Sequence, residues 1–210
     1  GNWSYKTSKF SGTMTDQLED EESAVNYLEN VHTTIHAIIT NIQVKPTTHN
    51  PPLPLITSSL QQEASALYHS NPKNTMKIAQ KLYEAGHITY MRTDNAVLSE
   101  EAIVEAQKLV EEKYGKEFMN GMKRKKQNSE NAQEAHECIR PTHFNVESLS
   151  DEFSHQEKNI YNLIYKRALQ SVMAASKGEE KKIQWQLEED DFTYEGVWKK
   201  TNFLGWKIVG

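Results

Sequence analysis

Four prolines lie between positions 45 and 54, and they constrain the fold of this chain more than any other sequence feature. Proline donates no backbone hydrogen bond and its ring fixes φ, so closely spaced prolines interrupt helices and sheet interiors. We therefore predict no regular structure over 45–54 and a domain boundary within that stretch. The 210 residues are enough for one large domain or two small ones.

The residue patterns before and after the prolines differ. Before them, residues 3–10 and 33–44 are rich in aromatic, β-branched and hydroxyl side chains, which is typical of strands. Between those two stretches, 20–30 is a short amphipathic helix with acidic residues in its first turn. After the prolines, helical periodicity dominates to about residue 175. Three further strands are predicted over 183–187, 192–198 and 203–209.

Start and stop signals locate the helices in the middle of the chain. Ser99 is the predicted N-cap of one helix, and a Ser-x-x-Glu capping box beginning at Ser154 starts the longest one. Asn74 or Thr75 is the predicted N-cap of another helix, which Gly86 ends. The predicted helices cover 58–69, 76–85, 99–115 and 154–175.

These patterns predict an α+β multidomain fold. Gly178 and the charged run after it are interpreted as a second domain boundary. We therefore predict a helical domain over 57–175. A β-rich domain, discontinuous in sequence, is predicted to consist of 1–56 and 176–210.

The composition excludes several classes of protein. Cys138 is the only cysteine, so an internal disulfide and a cysteine-based metal site are excluded, which fits an intracellular protein. The sequence has no secretory signal and no apolar run long enough to span a membrane. The net charge of −5 argues against a general polyanion binder. Residues 57–144 are nevertheless neutral, with 12 Lys and Arg against 12 Asp and Glu, so any nucleic-acid contact is expected in a local groove.

The densest group of chemically active side chains lies over 87–95. Residues 88–92 are predicted to form a short strand, in which Tyr90 and Arg92 share a face because their positions differ by two. A phenol beside a guanidinium suits attack on a phosphate, since the phenol oxygen is the nucleophile and the planar guanidinium holds the anion. Taken alone, the same residues also fit a half-buried strand tyrosine and a surface ion-pair partner.

Four blocks of sequence resemble the type IA DNA topoisomerases in order and spacing. Residues 88–94 (ITYMRTD) are similar to the active-site signature of that family. The other blocks are 51–63 (PPLPLITSSLQQE), 75–86 (TMKIAQKLYEAG) and 135–142 (AHECIRPT). The family usually has Ser at the position of Asn95 and Ala at that of Cys138, and neither difference removes a residue expected to do chemistry.

The resemblance implies a fold and a reaction. The fold is a mainly helical tyrosine-bearing domain inserted into a β-rich arch. In the implied reaction Tyr90 attacks a phosphodiester of single-stranded DNA and forms a 5′-phosphotyrosine. A second strand then passes through the break, and the 3′-hydroxyl reseals it without ATP. Arg92 and His136 are the other implied catalytic residues.

Further residues are implied in DNA binding. Gln80 and Glu84 share a helix face because they are four residues apart, although two solvated polar side chains have the same spacing. The hydroxyls near residue 58 can equally cap and start the helix there, and His136 also fits a hydrogen-bonded surface histidine. The implied DNA-binding residues are Thr57, Ser58, Ser59, Gln62, Gln80, Glu84, Thr89, Asp94 and Arg140.

The family also uses magnesium, held by a Toprim domain that this chain is expected to lack. The acidic run 188–191 (EEDD) is a predicted turn and a poor substitute, so no metal ligand is predicted here. The chain is interpreted as a fragment whose partners are single-stranded DNA and the Toprim and adjacent domains of the same polypeptide, with no membrane partner. Alone, it is expected to bind DNA weakly and not to cleave it, because the leaving alkoxide needs a proton donor or a metal. The expected location is cytoplasm, nucleoid or nucleus.

Three functions fit the sequence. The first is a fragment of a type IA topoisomerase, with reverse-gyrase and decatenating subtypes not distinguished. The second is a non-enzymatic single-stranded nucleic-acid-binding module with the same fold, which would leave no covalent tyrosyl adduct on DNA. The third is a helical scaffold without a nucleic-acid role, which would show no salt-dependent DNA binding.

Overall fold

The computed structural model describes residues 2–5, 8–30, 36–119, 137–188 and 192–210. Helices and an antiparallel sheet both contribute, which confirms the predicted α+β class. The strands are β1 (Asn2–Tyr5), β2 (Ser8–Ser11), β3 (Thr13–Met14), β4 (Ala37–His49), β5 (Ser176–Leu187) and β6 (Thr193–Phe203). The α-helices are α1 (Glu21–Asn30), α2 (Thr57–Tyr68), α3 (Pro72–Glu84), α4 (Glu100–Tyr114) and α5 (His155–Ser171). Short 3₁₀ helices cover Lys116–Phe118 and Gly205–Val209.

The chain divides into two compact units. The sheet unit comprises Gly1–Thr48 and Lys177–Phe203, and the helical unit comprises His49–Ser176 and Leu204–Gly210. The bounds of these units differ from the predicted domain bounds. The first division falls between residues 48 and 49 rather than after residue 56. Ser176 and the residues from 204 onward belong to the helical unit.

The sheet unit contains an antiparallel sheet with the strand order β3-β6-β5-β4. Trp185 of β5 lies opposite Tyr194 of β6, and the two rings stack on one face of the sheet. With Leu187 they form a small buried core, against which Tyr27 of α1 packs. At the start of the unit, β1 and β2 pair antiparallel, where a single strand over 3–10 was predicted.

The sequence predicted a domain boundary at Gly178 and the charged run after it, but the regular structure continues through both. It lies within β5, where Glu179 faces Lys200 and Glu180 faces Lys199 across the ladder to β6. Opposite charges directly across an antiparallel pair stabilise the pairing by about 0.2–1 kcal/mol each. The two glutamates of the run therefore favour its pairing with β6.

β4 corrects the interpretation of the prolines. The strand includes Pro46 and continues to His49, so only the remainder of 45–54 lacks regular structure. β4 lies at the edge of its sheet, where proline is tolerated because its nitrogen can face away from the neighbouring strand. The prolines therefore end a strand instead of excluding one.

The helices of the helical unit begin largely where their capping residues predict. The Ser99 hydroxyl accepts a hydrogen bond from the Ala102 N–H at 3.3 Å and starts α4. Ser154 and Glu157 form the predicted capping box of α5. That helix ends at Ser171 rather than near residue 175.

The start of α3 was predicted too late. Asn71 is its N-cap, not Asn74 or Thr75, since the Asn71 side chain accepts the Asn74 N–H at 2.8 Å. Pro72 then occupies the first helical position, where its missing N–H is no loss and its φ is already suitable. The helix gains about one turn relative to the prediction as a result.

A continuous apolar core holds the helical unit together. All four helices α2 to α5 contribute to it, with Leu60 and Leu82 among the residues that are fully buried. Burial of a side chain of this size contributes about 1.5–3 kcal/mol. Residues outside the helices are buried in this core as well, among them Ile88, Met91 and Ile139. The core therefore anchors the loops that carry the candidate chemistry.

The C-terminal residues are helical, which corrects the strand predicted over 203–209. Gly205 has a φ of +53°, and a Cβ at this position would lie 2.4 Å from the Ala174 carbonyl oxygen. The Trp206 N–H donates to that same carbonyl at 2.9 Å. Because these are long-range contacts within the helical unit, the local alternation of residues could not reveal them.

Candidate active site

The loop that follows α3 carries the densest group of candidate side chains, and we call residues 86–97 the tyrosine loop. Gly86 has a φ of +76°, a conformation that glycine adopts readily. The His87 N–H donates to the Leu82 carbonyl at 2.9 Å, which turns the chain away from the helix. The strand predicted over 88–92 does not form. Within the described chain, this loop has a single β-bridge, between Ile88 and Pro141.

Buried and exposed side chains alternate at the centre of the tyrosine loop. Met91 and Thr93 are buried, with 1% and 8% of their surface exposed. Tyr90, Arg92 and Asp94 are exposed. The loop therefore presents a phenol, a guanidinium and a carboxylate to solvent, while the residues between them pack inward.

A second tyrosine supports Tyr90. The rings of Tyr83 and Tyr90 meet edge to face, with centroids 5.3 Å apart and an angle of 65° between their planes. Gln80 and Glu84 lie next to Tyr83 on the surface of α3 and are joined by a hydrogen bond of 2.7 Å. Gln80 and Glu84, the two predicted DNA-binding residues of α3, thus lie beside Tyr83, which contacts Tyr90. Their contact with DNA stays a prediction.

An open pocket of about 400 Å³ lies where the tyrosine loop meets the start of α2. It is lined by Ile56, Thr57, Ser58, Gln61, Arg92, Thr93 and Asp94. The first N–H groups of an α-helix lack partners within the helix and carry partial positive charge. With the Arg92 guanidinium they favour an anion such as phosphate, and the Asp94 carboxylate adds one negative charge to the lining.

Thr57 fixes the tyrosine loop to α2. Its N–H donates to the Thr93 carbonyl at 3.0 Å. Its hydroxyl donates to the Met91 carbonyl at 2.8 Å, lies 3.1 Å from the Thr93 carbonyl and accepts the Thr93 N–H at 2.9 Å. The hydroxyl that was predicted to contact DNA is therefore used inside the protein.

Thr89 makes a similar set of contacts to residues 137–142, which we call the arginine segment. Its hydroxyl donates to the Cys138 carbonyl at 2.7 Å and accepts the Arg140 N–H at 3.0 Å. Its N–H donates to the Arg140 carbonyl at 3.0 Å. The Ile139 N–H in turn donates to the Leu55 carbonyl at 2.8 Å. The arginine segment thus lies between the tyrosine loop and the residues that precede α2.

The two predicted phosphate-binding arginines differ in their surroundings. The Arg140 Nε donates to the Glu137 Oε2 at 2.5 Å, and its Nη1 lies 2.9 Å from the Pro141 carbonyl and 3.4 Å from that of Thr142. Its side chain is only 13% exposed. Arg92 is exposed and pairs with no carboxylate in the described parts of the chain. Arg92 is therefore the arginine that is ready to bind an anion.

Other predicted site residues have different placements. The Ser59 hydroxyl accepts the Ile56 N–H at 2.9 Å, so it caps α2, as one reading of the sequence allowed. Gln62 is exposed but does not line the pocket. His136 lies outside the described residues, and so does the basic run 123–126.

Sequence reasoning missed Gln61, Glu137 and Tyr83. Gln61 is four residues after Thr57, so helical spacing could have placed both beside the pocket. Glu137 precedes Arg140 by three residues, a spacing that favours an ion pair, but the motif gives Glu137 no role. Tyr83 precedes Glu84 on α3 and is 41% exposed, but the motif gave it no role of its own.

Across the described ranges, no group of three or more His, Cys, Asp or Glu side chains is arranged to hold a metal ion. These residues therefore do not fit a magnesium site, and we assign no step to a metal bound by them. None of the helices described is both long enough and apolar enough to cross a membrane.

Nearly the whole chain matches known proteins. A family model described as DNA topoisomerase matches residues 3–210. DNA topoisomerase 1 of Zymomonas mobilis is 43% identical over 143 residues, which cover 68% of this chain and 12% of that protein. DNA topoisomerase 1 of Helicobacter pylori strain 26695 is 38% identical across 99% of this chain and 29% of its own length. The chain thus spans between about an eighth and a third of these relatives.

A solved structure agrees with the sequence relatives. Full-length topoisomerase I from Thermotoga maritima matches 99% of this chain and 35% of its own, with a TM-score of 0.80 and 27% sequence identity. The family model and the structural match both extend over the tyrosine loop, the pocket and the arginine segment. The chain belongs to the type IA DNA topoisomerase family.

Proposed function

We propose that this chain supplies the nucleophile and the phosphate-binding groups with which a type IA topoisomerase cleaves and rejoins single-stranded DNA. Tyr90 attacks a phosphodiester and becomes linked to the 5′-phosphate. A second DNA strand passes through the break, and the 3′-hydroxyl reseals it. ATP is not required, because each step exchanges one phosphate ester for another.

The exposed pair in the tyrosine loop is the observation that carries this proposal. Tyr90 and Arg92 both face solvent, and Arg92 lines the pocket at the start of α2. A guanidinium can hold two phosphate oxygens through parallel hydrogen bonds, and helix N-termini bind phosphate. The exposed Tyr83 beside Tyr90 adds an aromatic surface, on which the unpaired bases of single-stranded DNA can stack.

The cleavage step exchanges one bond for another. A bond forms between the Tyr90 phenol oxygen and phosphorus, and the bond from phosphorus to the 3′-oxygen breaks. The phenol loses a proton and the departing 3′-oxygen gains one, so the step needs a proton acceptor and a proton donor. We assign Arg92 to hold the phosphate and stabilise the charge that develops on its oxygens. We assign His136 to steer the phosphate or to carry a proton.

The remaining DNA contacts are proposed along two surfaces. Ser58 and Asp94 line the pocket beside Arg92, and Gln80 and Glu84 lie on the α3 face beside Tyr83. Arg140 uses its Nε for Glu137 and its Nη1 for backbone carbonyls, so a phosphate would bind through Nη2 or compete with Glu137 for the guanidinium. Because residues 57–144 are neutral overall, a few such contacts would supply most of the affinity, and binding should weaken as salt rises.

We propose a magnesium ion for the reaction of the full-length protein only. We propose that it is held by a Toprim domain elsewhere in the polypeptide, since the described residues do not fit it. The partners of this chain are then single-stranded DNA and those other domains. A DNA substrate places the activity inside the cell, in the cytoplasm or nucleoid, or in a nucleus.

The test is covalent trapping of labelled single-stranded DNA by the full-length protein carrying Tyr90→Phe. Tyr83→Phe is the matched control, because both tyrosines are 41% exposed and their rings touch. We expect the Tyr90 variant to form no adduct while it binds DNA nearly as well as the parent protein. The Tyr83 variant should still form the adduct.

Three outcomes would contradict the proposal. Normal adduct formation by the Tyr90 variant would show that another group is the nucleophile. DNA binding without an adduct in the unmodified protein would favour the non-enzymatic binding module, and the absence of salt-dependent binding would favour a scaffold.

A further inference from the structure

The hydroxyls of Thr57 and Thr89 are used in the same way. Each donates to the carbonyl of one residue and accepts the N–H of the residue two positions later. For Thr57 these residues are 91 and 93, and for Thr89 they are 138 and 140. A hydroxyl has one proton to donate, and in both threonines a backbone carbonyl receives it. Neither hydroxyl has a proton left for a phosphate oxygen.

We propose that Thr57 and Thr89 are positioning residues that together form a threonine clasp around Tyr90, instead of contacting DNA themselves. The inference rests on the proposed function of Tyr90 and Arg92 and assigns these two threonines a different role from the one the motif suggested. The clasp sets where the phenol and the two arginines lie, and its hydroxyls donate no hydrogen bond to the DNA.

The positions of the bonds along the chain support this role. Thr89 immediately precedes Tyr90, and the Met91 carbonyl held by Thr57 immediately follows it. The Thr57 hydroxyl also holds the backbone on both sides of Arg92. The residues before and after Tyr90 are therefore each held by a clasp hydrogen bond. The residues before and after Arg92 are both held by the Thr57 hydroxyl.

The tyrosine loop needs such support because it is not part of a sheet. Its one β-bridge among the described residues precedes Tyr90, at Ile88. The Ile139 bond to Leu55 joins the arginine segment to the chain two residues before Thr57. The tyrosine loop, the arginine segment and the start of α2 are therefore each hydrogen-bonded to the other two, which limits the movement of the tyrosine loop. A misplacement of about 1 Å at an active site can cost on the order of 10²-fold in rate.

Backbone amide exchange in the 210-residue chain tests the clasp without any catalysis. Thr57→Val keeps the β-branched shape and removes the hydroxyl, while Thr57→Ser keeps the hydroxyl. We expect Thr57→Val to speed exchange of the Thr93 amide by about tenfold or more, and to leave the Arg140 amide unchanged. Thr89→Val should do the reverse. Each variant is thus a control for the other.

Cleavage by the full-length protein tests the role in catalysis. Both Val variants should cleave bound DNA about 10- to 100-fold more slowly at saturating DNA, with the affinity for single-stranded DNA changed less than about threefold. The Ser variants should cleave within about threefold of the parent rate. A loss of DNA affinity with an unchanged rate at saturation would overturn the proposal, because it would make these threonines DNA ligands.

Two further results would also overturn it. Unchanged rate and affinity in both Val variants, while Tyr90→Phe forms no adduct, would mean that the clasp has no function although the nucleophile is correctly assigned. If the Val variants fail to fold, amide exchange in the unmodified chain still tests the proposal. Fast exchange of both the Thr93 and Arg140 amides would show that the clasp bonds do not persist in solution.

Discussion

The tyrosine loop and the arginine segment are joined by hydrogen bonds, yet they arrange their reactive side chains in opposite ways. The tyrosine loop exposes Tyr90 and Arg92, whereas the arginine segment pairs Arg140 with Glu137 and buries Cys138. Both segments are anchored by apolar residues in the same core. The comparison indicates a division of roles, in which one segment presents groups to the substrate and the other, satisfied internally, holds the first in place.

Thiol reactivity should show the largest difference between the two segments. Burial, with the Glu137 carboxylate adding to it, raises the pKa of Cys138 from 9.0 to about 12. Near neutral pH this lowers the thiolate fraction on the order of 10³-fold, and the thiolate is the reactive form. A cysteine introduced by Val97→Cys, at a tyrosine-loop position that is 47% exposed, should therefore be alkylated at least about 10³-fold faster. Mass spectrometry of the alkylated peptides measures both rates.

The pH dependence gives a second measure of the same difference. Because the raised pKa keeps Cys138 protonated in the folded state, its alkylation should speed up about tenfold per pH unit as far as the protein stays folded. Above pH 9 the unfolded state loses this proton first, so the free energy of unfolding should fall as pH rises from 9 towards 12. Equal alkylation rates at the two positions would show that the arginine segment opens readily.

The two arginines should respond unequally to the same substitution. Arg92→Lys replaces a planar fork by a point charge at an exposed position, so cleavage should slow on the order of 10²–10³-fold. Arg140→Lys should slow it less than about tenfold, since Arg140 contacts Glu137 and backbone carbonyls instead of solvent. Single-turnover cleavage by the full-length variants measures both. An effect at Arg140 as large as that at Arg92 would remove the distinction between the segments.

The smallest expected effect comes from releasing Arg140. Glu137→Gln removes the charge that holds the guanidinium while keeping the side-chain size. Binding of single-stranded DNA should then tighten a few-fold at low salt, with a salt slope steeper by about 0.7 for one added phosphate contact. A salt titration of binding by the 210-residue chain measures this, with Glu112→Gln as the control at an exposed surface pair. Unchanged affinity would indicate that Arg140 is structural.

Much of the fold could be predicted because the signals were local. The Ser99 cap and the Ser154 capping box each depend on residues within one turn, and the structure has both. The strand over 88–92 was wrong because alternation of buried and exposed residues can arise without a ladder. Here it arises because Met91 and Thr93 of the tyrosine loop are buried while their neighbours are exposed, and hydrogen bonds hold the loop in that conformation. Pro46 was misread because the sequence does not reveal that β4 is an edge strand.

The candidate site was predictable in its residue types but not in their partners. The motif located Tyr90 and Arg92, and both are exposed. It could not distinguish them from Thr57 and Thr89, whose hydroxyls bond to backbone groups more than thirty residues away in sequence. Such contacts depend on the tertiary fold, so a motif residue that orients a site looks the same in sequence as one that binds substrate.

The role of Tyr90 as nucleophile is tested most directly by identifying the atom that bonds to DNA. The full-length protein would be trapped on a single-stranded oligonucleotide by denaturation, digested, and its nucleotide-bearing peptide sequenced by mass spectrometry. We expect one modified residue, Tyr90, with its phenol oxygen esterified to a 5′-phosphate. Modification of Tyr83 or any other residue, or a linkage through a 3′-phosphate, would contradict it.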